Sequence, residues 1–184
     1  MIAPWNVSLP TSLAVADKDY TIRSDYRVAL DIFQAITDPE LDDYNRAMEA
    51  LECLYEEEIP PQYYKEALDR CFWYLRGGVD ETRAKSPKLV SWEQDFRLIE
   101  PPVSKIIGTD IRGLPYLHWW TFLSAYSSIG DCFFAQVVAI RDKKARGKTL
   151  DKADREFYRR NRDVIDFKVE LTEKEQEIFD NWLR

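Results

Sequence analysis

Histidine is almost missing from this sequence: His118 is the only one in 184 residues. A Ser-His-Asp triad remains arithmetically open, but a multi-histidine metal centre is excluded. Glycine is nearly as scarce. Gly77, Gly78, Gly108, Gly113, Gly130 and Gly147 cannot be assembled into GxGxxG or GxxxxGK[ST], the loops that wrap backbone amides around phosphates. Cys53, Cys71 and Cys132 are odd in number, widely spaced and lack a CxxC pair. They suggest neither a disulfide framework nor a thiolate zinc site, and read as reduced cytosolic thiols, two of them on apolar helix faces. Long apolar runs are missing as well: the longest, Phe133 to Ile140, falls far short of the ~20 residues that span a bilayer. The opening MIAPWNVSLP has no basic segment and no continuous apolar segment, so it does not read as a secretory signal. These shortages lean away from catalysis and from the membrane.

What the chain has in abundance is aromatic rings, with six Trp, ten Tyr and nine Phe making up 14% of the residues. At 45% hydrophobic and 32% charged, it is composed like one soluble globular domain, or at most two small ones, long enough to bury a core. Its 33 acids against 26 bases leave a net charge of −7, which favours solubility and makes nucleic acid an unlikely partner for the molecule as a whole.

Periodicity makes the fold mainly α. Leu13, Val15, Tyr20 and Ile22 alternate around the polar turn Ala16 to Asp19, which predicts a small N-terminal β-hairpin. Everything after it has a helical period. Ser24 or Asp25 can cap a helix with Val28, Ala29, Ile32, Phe33 and Ile36 on its apolar face. Asp38-Pro39 reads as the start of a second, with Leu41, Tyr44, Met48, Leu51 and Tyr55 as its buried stripe. Pro60-Pro61 precedes a third, whose face is Tyr64, Leu68, Cys71, Phe72 and Leu75 and whose stop is Gly77-Gly78. Ser91 can cap a fourth, which Pro101-Pro102 is expected to break or restart. The segment Leu114 to Tyr126 is apolar on every side, with Pro115 at a first helical position, and predicts the buried central helix. Asp131 to Arg146 carries an apolar face with Arg141, Lys143, Lys144 and Arg146 in its last turn, where positive charge suits the helix dipole. A short basic helix around Leu150, Ala153 and Phe157 follows. A capping box at Thr172 and Glu175 opens a last helix with Ile178, Phe179, Trp182 and Leu183.

The expected architecture is therefore a single helical domain of seven or eight helices with a small N-terminal hairpin. It divides into an arm and hairpin over 1–23, a helical core over 24–165 and a C-terminal helical extension over 166–184. Phe72, Leu75, Phe96, Trp119, Trp120, Phe122, Phe133, Phe134 and Phe157 are expected to meet in one core around the LHWWTFL helix.

Three constellations carry chemistry. In His118-Trp119-Trp120 the imidazole can be a general base oriented by Asp110 or Asp131, or a core residue hydrogen-bonded to backbone; with no nucleophile at an interpretable spacing, the core reading is preferred. The paired Trp can stack a base or sugar, although a helix apolar throughout favours packing. Asp38 to Glu58 holds nine acids against Arg46 alone. Glu49, Glu52 and Glu56 line one flank, which reads as solvated rather than as a divalent-cation site. Arg141 to Arg162 holds ten bases against four acids. Arg141, Lys144, Arg155, Arg159 and Arg160 form a candidate partner-binding basic face, open to phosphates or an acidic protein. The opposed acidic and basic segments also permit self-association.

The order TIRSDYR, an Asp-rich helix, WEQDF, IIGTDI, LHWWTFL, AIRDKK and DKADREFYRRNRDVI resembles the bacteriophage gene-product-fifteen family, from about Tyr20 to Ile165. The strongest pieces are His118-Trp119-Trp120 with Phe122, Ile140-Arg141, and Glu156-Phe157-Tyr158-Arg159 followed by Asn161. The resemblance implies a small helical protein of siphophages and Gram-positive prophages, encoded ahead of the tape-measure gene. It implies a non-enzymatic tail-assembly chaperone acting in the host cytoplasm, with the tape-measure and tail-tube proteins as partners and no cofactor or metal. A structural protein kept in the tail or head-tail junction of the virion is the alternative. No catalytic residue comes with the resemblance.

Overall fold

A computed structural model describes residues 8–80 and 87–168, and within them the chain is mainly α: one antiparallel hairpin and eight helices. Strands β1 (Ser12–Val15) and β2 (Lys18–Thr21) pair with Leu13 opposite Tyr20 and Val15 opposite Lys18. The turn is tighter than the four residues expected. Only Ala16 and Asp17 connect the strands, at φ 48° and 62°, the left-handed pair whose twist matches that of a hairpin. Leu13, Val15, Tyr20 and Ile22 all turn inward, so the hairpin shares the main core with the helices.

Helix α1 (Tyr26–Thr37) starts at Asp25, whose carboxylate accepts from the Arg27 amide. Asp38-Pro39 does not start the next helix. Asp38 closes α1 in an extended conformation, as a residue before proline prefers, and its carboxylate accepts from the Glu40 amide in a turn. The cap of α2 (Asp43–Leu54) is Asp42, accepting from Asn45. The buried stripe is Ala50, Leu51 and Leu54 rather than the one expected, and Tyr44, in the first turn, is 65% exposed. Tyr55 and Glu56 lie beyond the helix, bridged to Ile22 and to the Thr21 carbonyl, so Glu56 does not extend the helical flank of Glu49 and Glu52. Arg23 reaches across to the carbonyls of Glu52 and Cys53, which the end of α2 leaves without helical partners.

After a 3-10 turn at Pro61–Tyr63, α3 (Tyr64–Leu75) buries Ala67, Cys71, Tyr74 and Leu75 and stops at Gly77 and Gly78, with φ 72° and 81°. Burial pushes the Cys71 thiol up to about 12, which keeps it protonated and removes it as a nucleophile at neutral pH.

Helix α4 (Trp92–Ile107) corrects the expected break, running unbroken through Pro101 and Pro102 to a left-handed Gly108. The prolines cannot donate to the carbonyls of Arg97 and Leu98. One loss falls on the outer flank, where Arg97 and Pro101 are exposed; the other, between half-buried Leu98 and Pro102, lies nearer the side on which Ile99, Glu100 and Val103 pack inward. The central helix is shorter than expected: α5 (Trp119–Ser127) begins at Trp119, not near Pro115. The residues before it form a 3-10 turn at Ile111–Gly113 and then an extended stretch that pairs with the chain at Asp25. Helices α6 (Phe133–Ala145), α7 (Lys152–Arg160, with an Asp151–Asp154 capping box) and α8 (Arg162–Ile165) follow. The helix expected from Thr172 to Leu183 lies outside the described residues.

One core was expected, and there are two. The main one centres on Trp119, Phe122 and Tyr26. Val137, Ile140 and Ile165 form a second with Leu98, Leu150, Phe157, Tyr158 and Val164 packed on it. Phe157 belongs there, and Phe133 pairs with it at 5.5 Å between ring centroids while remaining 41% exposed. Helices this short present too little surface for α7 and α8 to reach the first core.

Gly78 is where the backbone and the aromatic core constrain each other most tightly: at φ +81°, an added Cβ would lie 2.7 Å from the Trp120 ring. Gly147 also has a positive φ but open space around it. Gly147→Ala is expected to cost about 1 kcal/mol for its backbone alone, and Gly78→Ala about 1–3 kcal/mol more because the ring must move. Thermal melts with near-ultraviolet circular dichroism check the order; equal costs would contradict the close approach.

Candidate functional site

The most distinctive motif is wholly committed to the fold. His118 is 4% exposed and caps α5. Its Nδ1 accepts from the Trp120 amide at 3.0 Å, and its Nε2 lies 3.0 Å from the Pro10 carbonyl oxygen. A nitrogen that accepts an amide proton carries none, and one that faces a carbonyl must donate, so the ring is the neutral Nε2–H tautomer. Neither candidate orienting acid serves it. Asp110 caps the 3-10 turn and pairs with Arg112, which holds its carboxyl below the usual range, and Asp131 is exposed.

Both Trp indoles have structural partners. Trp119 Nε1 donates to Leu75 O at 3.0 Å and Trp120 Nε1 to Tyr74 O at 2.9 Å. These are the final carbonyls of α3, which a helix leaves unpaired. Gly78 and Gly77 complete the set by donating to Trp73 O and Tyr74 O. Trp119 is fully buried, and its backbone amide donates to Ser24 O while Tyr26 N–H donates to Leu117 O, a two-bond bridge between distant segments. Asp25 locks that bridge, its Oδ2 accepting from the Leu117 amide at 2.9 Å. Tyr74, whose hydroxyl burial pushes well above the ordinary tyrosine range, donates to Ser24 O. The motif therefore presents no stacking platform and no general base to solvent.

Arg141 corrects the candidate basic face. It is 4% exposed and forms a two-pronged pair with the fully buried Asp95, Nη1 to Oδ2 at 2.6 Å and Nη2 to Oδ1 at 2.9 Å. Its remaining donors reach Ile165 O at 2.7 Å, Val164 O at 2.8 Å and Leu89 O at 2.9 Å, and Phe167 lies under the guanidinium at 4.1 Å. The chain thus closes round Arg141, fastening α6 to α4 and to the end of α8. The sequence reading did not single out Asp95 as a partner for Arg141. The signal was there, because Arg141 continues the seam Phe134, Val137 on α6, and a charge on each of two apolar seams invites pairing.

A family model described as Bacteriophage Gp15 protein matches residues 6–167, nearly the whole described chain. The chain belongs to that family. Comparison with curated proteins and with solved structures returned no match. Two of the family-resembling pieces, His118-Trp119-Trp120 and Ile140-Arg141, are thus the two clasps that hold this Gp15 protein together.

The rest of the basic segment is at the surface. Lys143 pairs with Asp154, Lys144 and Arg162 with Asp166, Arg146 with Asp142, and Arg160 with Glu156. Burial would raise Asp166, but hydrogen bonds from Lys144, Tyr158 and Arg162 hold it below the usual carboxylate range. Of the five candidates, Arg141 is buried, Lys144 and Arg160 are ion-paired, and Arg155 and Arg159 are exposed without an ion-pair partner among the described residues. Glu49 and Glu52 are exposed in the same sense. No helix among the described residues is long and apolar enough to cross a membrane.

Two substitutions test the clasps. Arg141→Met strands a buried carboxylate and is expected to cost about 3–5 kcal/mol, whereas adding Asp95→Leu should recover part of that loss. Additive costs in urea melts would show that the pair is not coupled. His118→Ala removes the cap and is expected to cost about 1–2 kcal/mol, with His118→Asn in between because Asn supplies a capping oxygen. Loss of phage yield in a fully folded His118→Asn protein would instead give the imidazole a chemical role.

Proposed function

We propose that this Gp15 protein is a non-enzymatic tail-assembly chaperone that binds the tape-measure protein, and tail-tube subunits with it, during tail morphogenesis in the host cytoplasm. Family membership carries the coarser statement, a phage protein with a structural or assembly role. The finer reading draws support from how the side chains are used. The only histidine is a neutral cap, the most buried cysteine is a protonated thiol, and the large rings of the motif are spent on packing and on α3 carbonyls. What remains for function is surface: short helices carrying segregated charge and a few exposed apolar side chains such as Tyr44, Ile106, Tyr116 and Phe133. Such a surface suits a long helical partner held by many shallow contacts, and charge segregation suits a contact that must later be released.

The test is co-expression with the cognate tape-measure protein. The expected result is a soluble, co-purifying complex, together with absence of the Gp15 protein from purified virions by mass spectrometry. Insoluble tape-measure protein and no complex, with the Gp15 protein itself folded, would overturn the chaperone reading. Stoichiometric copies in the virion would show the structural alternative.

A further inference from the structure

The two charged segments lie on different parts of the molecule. Helix α2 packs on α1 and α3, whereas α7 packs on α8, which in turn rests on α6. The route from one to the other runs through α1, α4, α6 and α8, so within one chain the acidic helix does not pack on the basic one.

On α7, Lys152, Arg155 and Arg159 recur at three- and four-residue spacing and so share one flank. All three are exposed and none has an ion-pair partner among the described residues, in contrast to their neighbours Arg160 and Arg162. On α2, Glu49 and Glu52 share a flank at the same three-residue spacing, also exposed and also unpaired among the described residues.

Local charge decides the partner. A chain of net charge −7 repels its own copies on average, so an unpaired cationic stripe is the surface that a second copy's acidic helix can approach favourably. We infer that Lys152, Arg155 and Arg159 of one copy dock on Glu49 and Glu52 of a second copy. Because the two patches differ, the contact joins unlike faces and leaves one of each open at the ends of a pair, so that further copies can add. This goes beyond the chaperone reading: a phage protein that associates in this way does so whether or not it binds a tape-measure protein.

The experiment is sedimentation of the full-length chain at low and high salt, alongside the neutral variants E49Q/E52Q and R155Q/R159Q. All four positions are exposed, and circular dichroism confirms that the variants fold. The wild type is expected to associate at low salt and to lose affinity by about tenfold or more when salt is raised, as exposed charge contacts do. Each variant alone is expected to be monomeric, since each lacks one of the two faces. Mixed, they are expected to form a one-to-one complex, because each supplies the face that the other has lost. A monomeric wild type at low salt would overturn the inference. So would variants that associate as the wild type does, or a mixture that stays monomeric, the outcome if another partner or another segment of the same chain occupies the basic stripe.

Discussion

The fold depends on the way Trp119 uses both of its hydrogen-bond donors. Its backbone amide completes the bridge to Ser24 and its indole nitrogen caps the end of α3 at Leu75. Its ring meanwhile packs on Phe122 at 5.4 Å, Trp92 at 5.8 Å and Phe33 at 5.9 Å. One side chain therefore ties α1, α3, α4 and α5 together with every polar atom satisfied, which makes so large a buried residue affordable. His118 before it and Trp120 after it extend the same logic, the first anchoring the arm at Pro10 and the second fitting a ring against Gly78. A domain made of helices of 16 residues or fewer needs such a centre, because no single helix pair offers enough surface.

The second core is small, and its organising contact is ionic rather than apolar. Taking Arg141 and Asp95 out of water is costly, and a pair of this kind is tolerated only when the remaining donors and lone pairs are met. Here they are, since the Ser91 amide donates to Asp95 while three backbone carbonyls accept from Arg141. What the pair contributes is direction. A guanidinium fork admits few arrangements, so it dictates how the chain near Leu89 and the end of α8 approach α6, where three aliphatic side chains alone would allow sliding. The basic α7, riding on this unit, is thereby held away from the acidic α2.

Legibility from sequence followed the range of the interaction. The hairpin, the helical period, the glycine stop at Gly77-Gly78 and a cap at Ser24 or Asp25, of which Asp25 is the one used, are governed by neighbours a few residues apart, and all were readable. The failures were non-local. Pro101-Pro102 is a breaker by local rules, yet packing of Ile99 and Val103 keeps α4 whole. Pro115 suits a helix start, yet pairing with the strand-like segment at Asp25 keeps the chain extended to His118. Asp38-Pro39 misled for a different reason, because Asp42 offers an equally good cap four residues on and the proline turn leads into it.

By itself the sequence determined the class of molecule: an aromatic-rich helical domain with too few histidines and glycines for the common catalytic centres, and with a family-like order of motifs. Period, capping and composition are short-range properties, and they survive without knowledge of the fold. Only the tertiary structure decided what each distinctive residue is for. Arg141 reads like every other base in its segment until Asp95 is found facing it, and for His118 the core reading that the sequence favours gains its partners only when both of its nitrogens are seen to be occupied. Burial and partnership are set by residues distant along the chain, so the same side chain is surface charge or internal clasp according to contacts that no local pattern records.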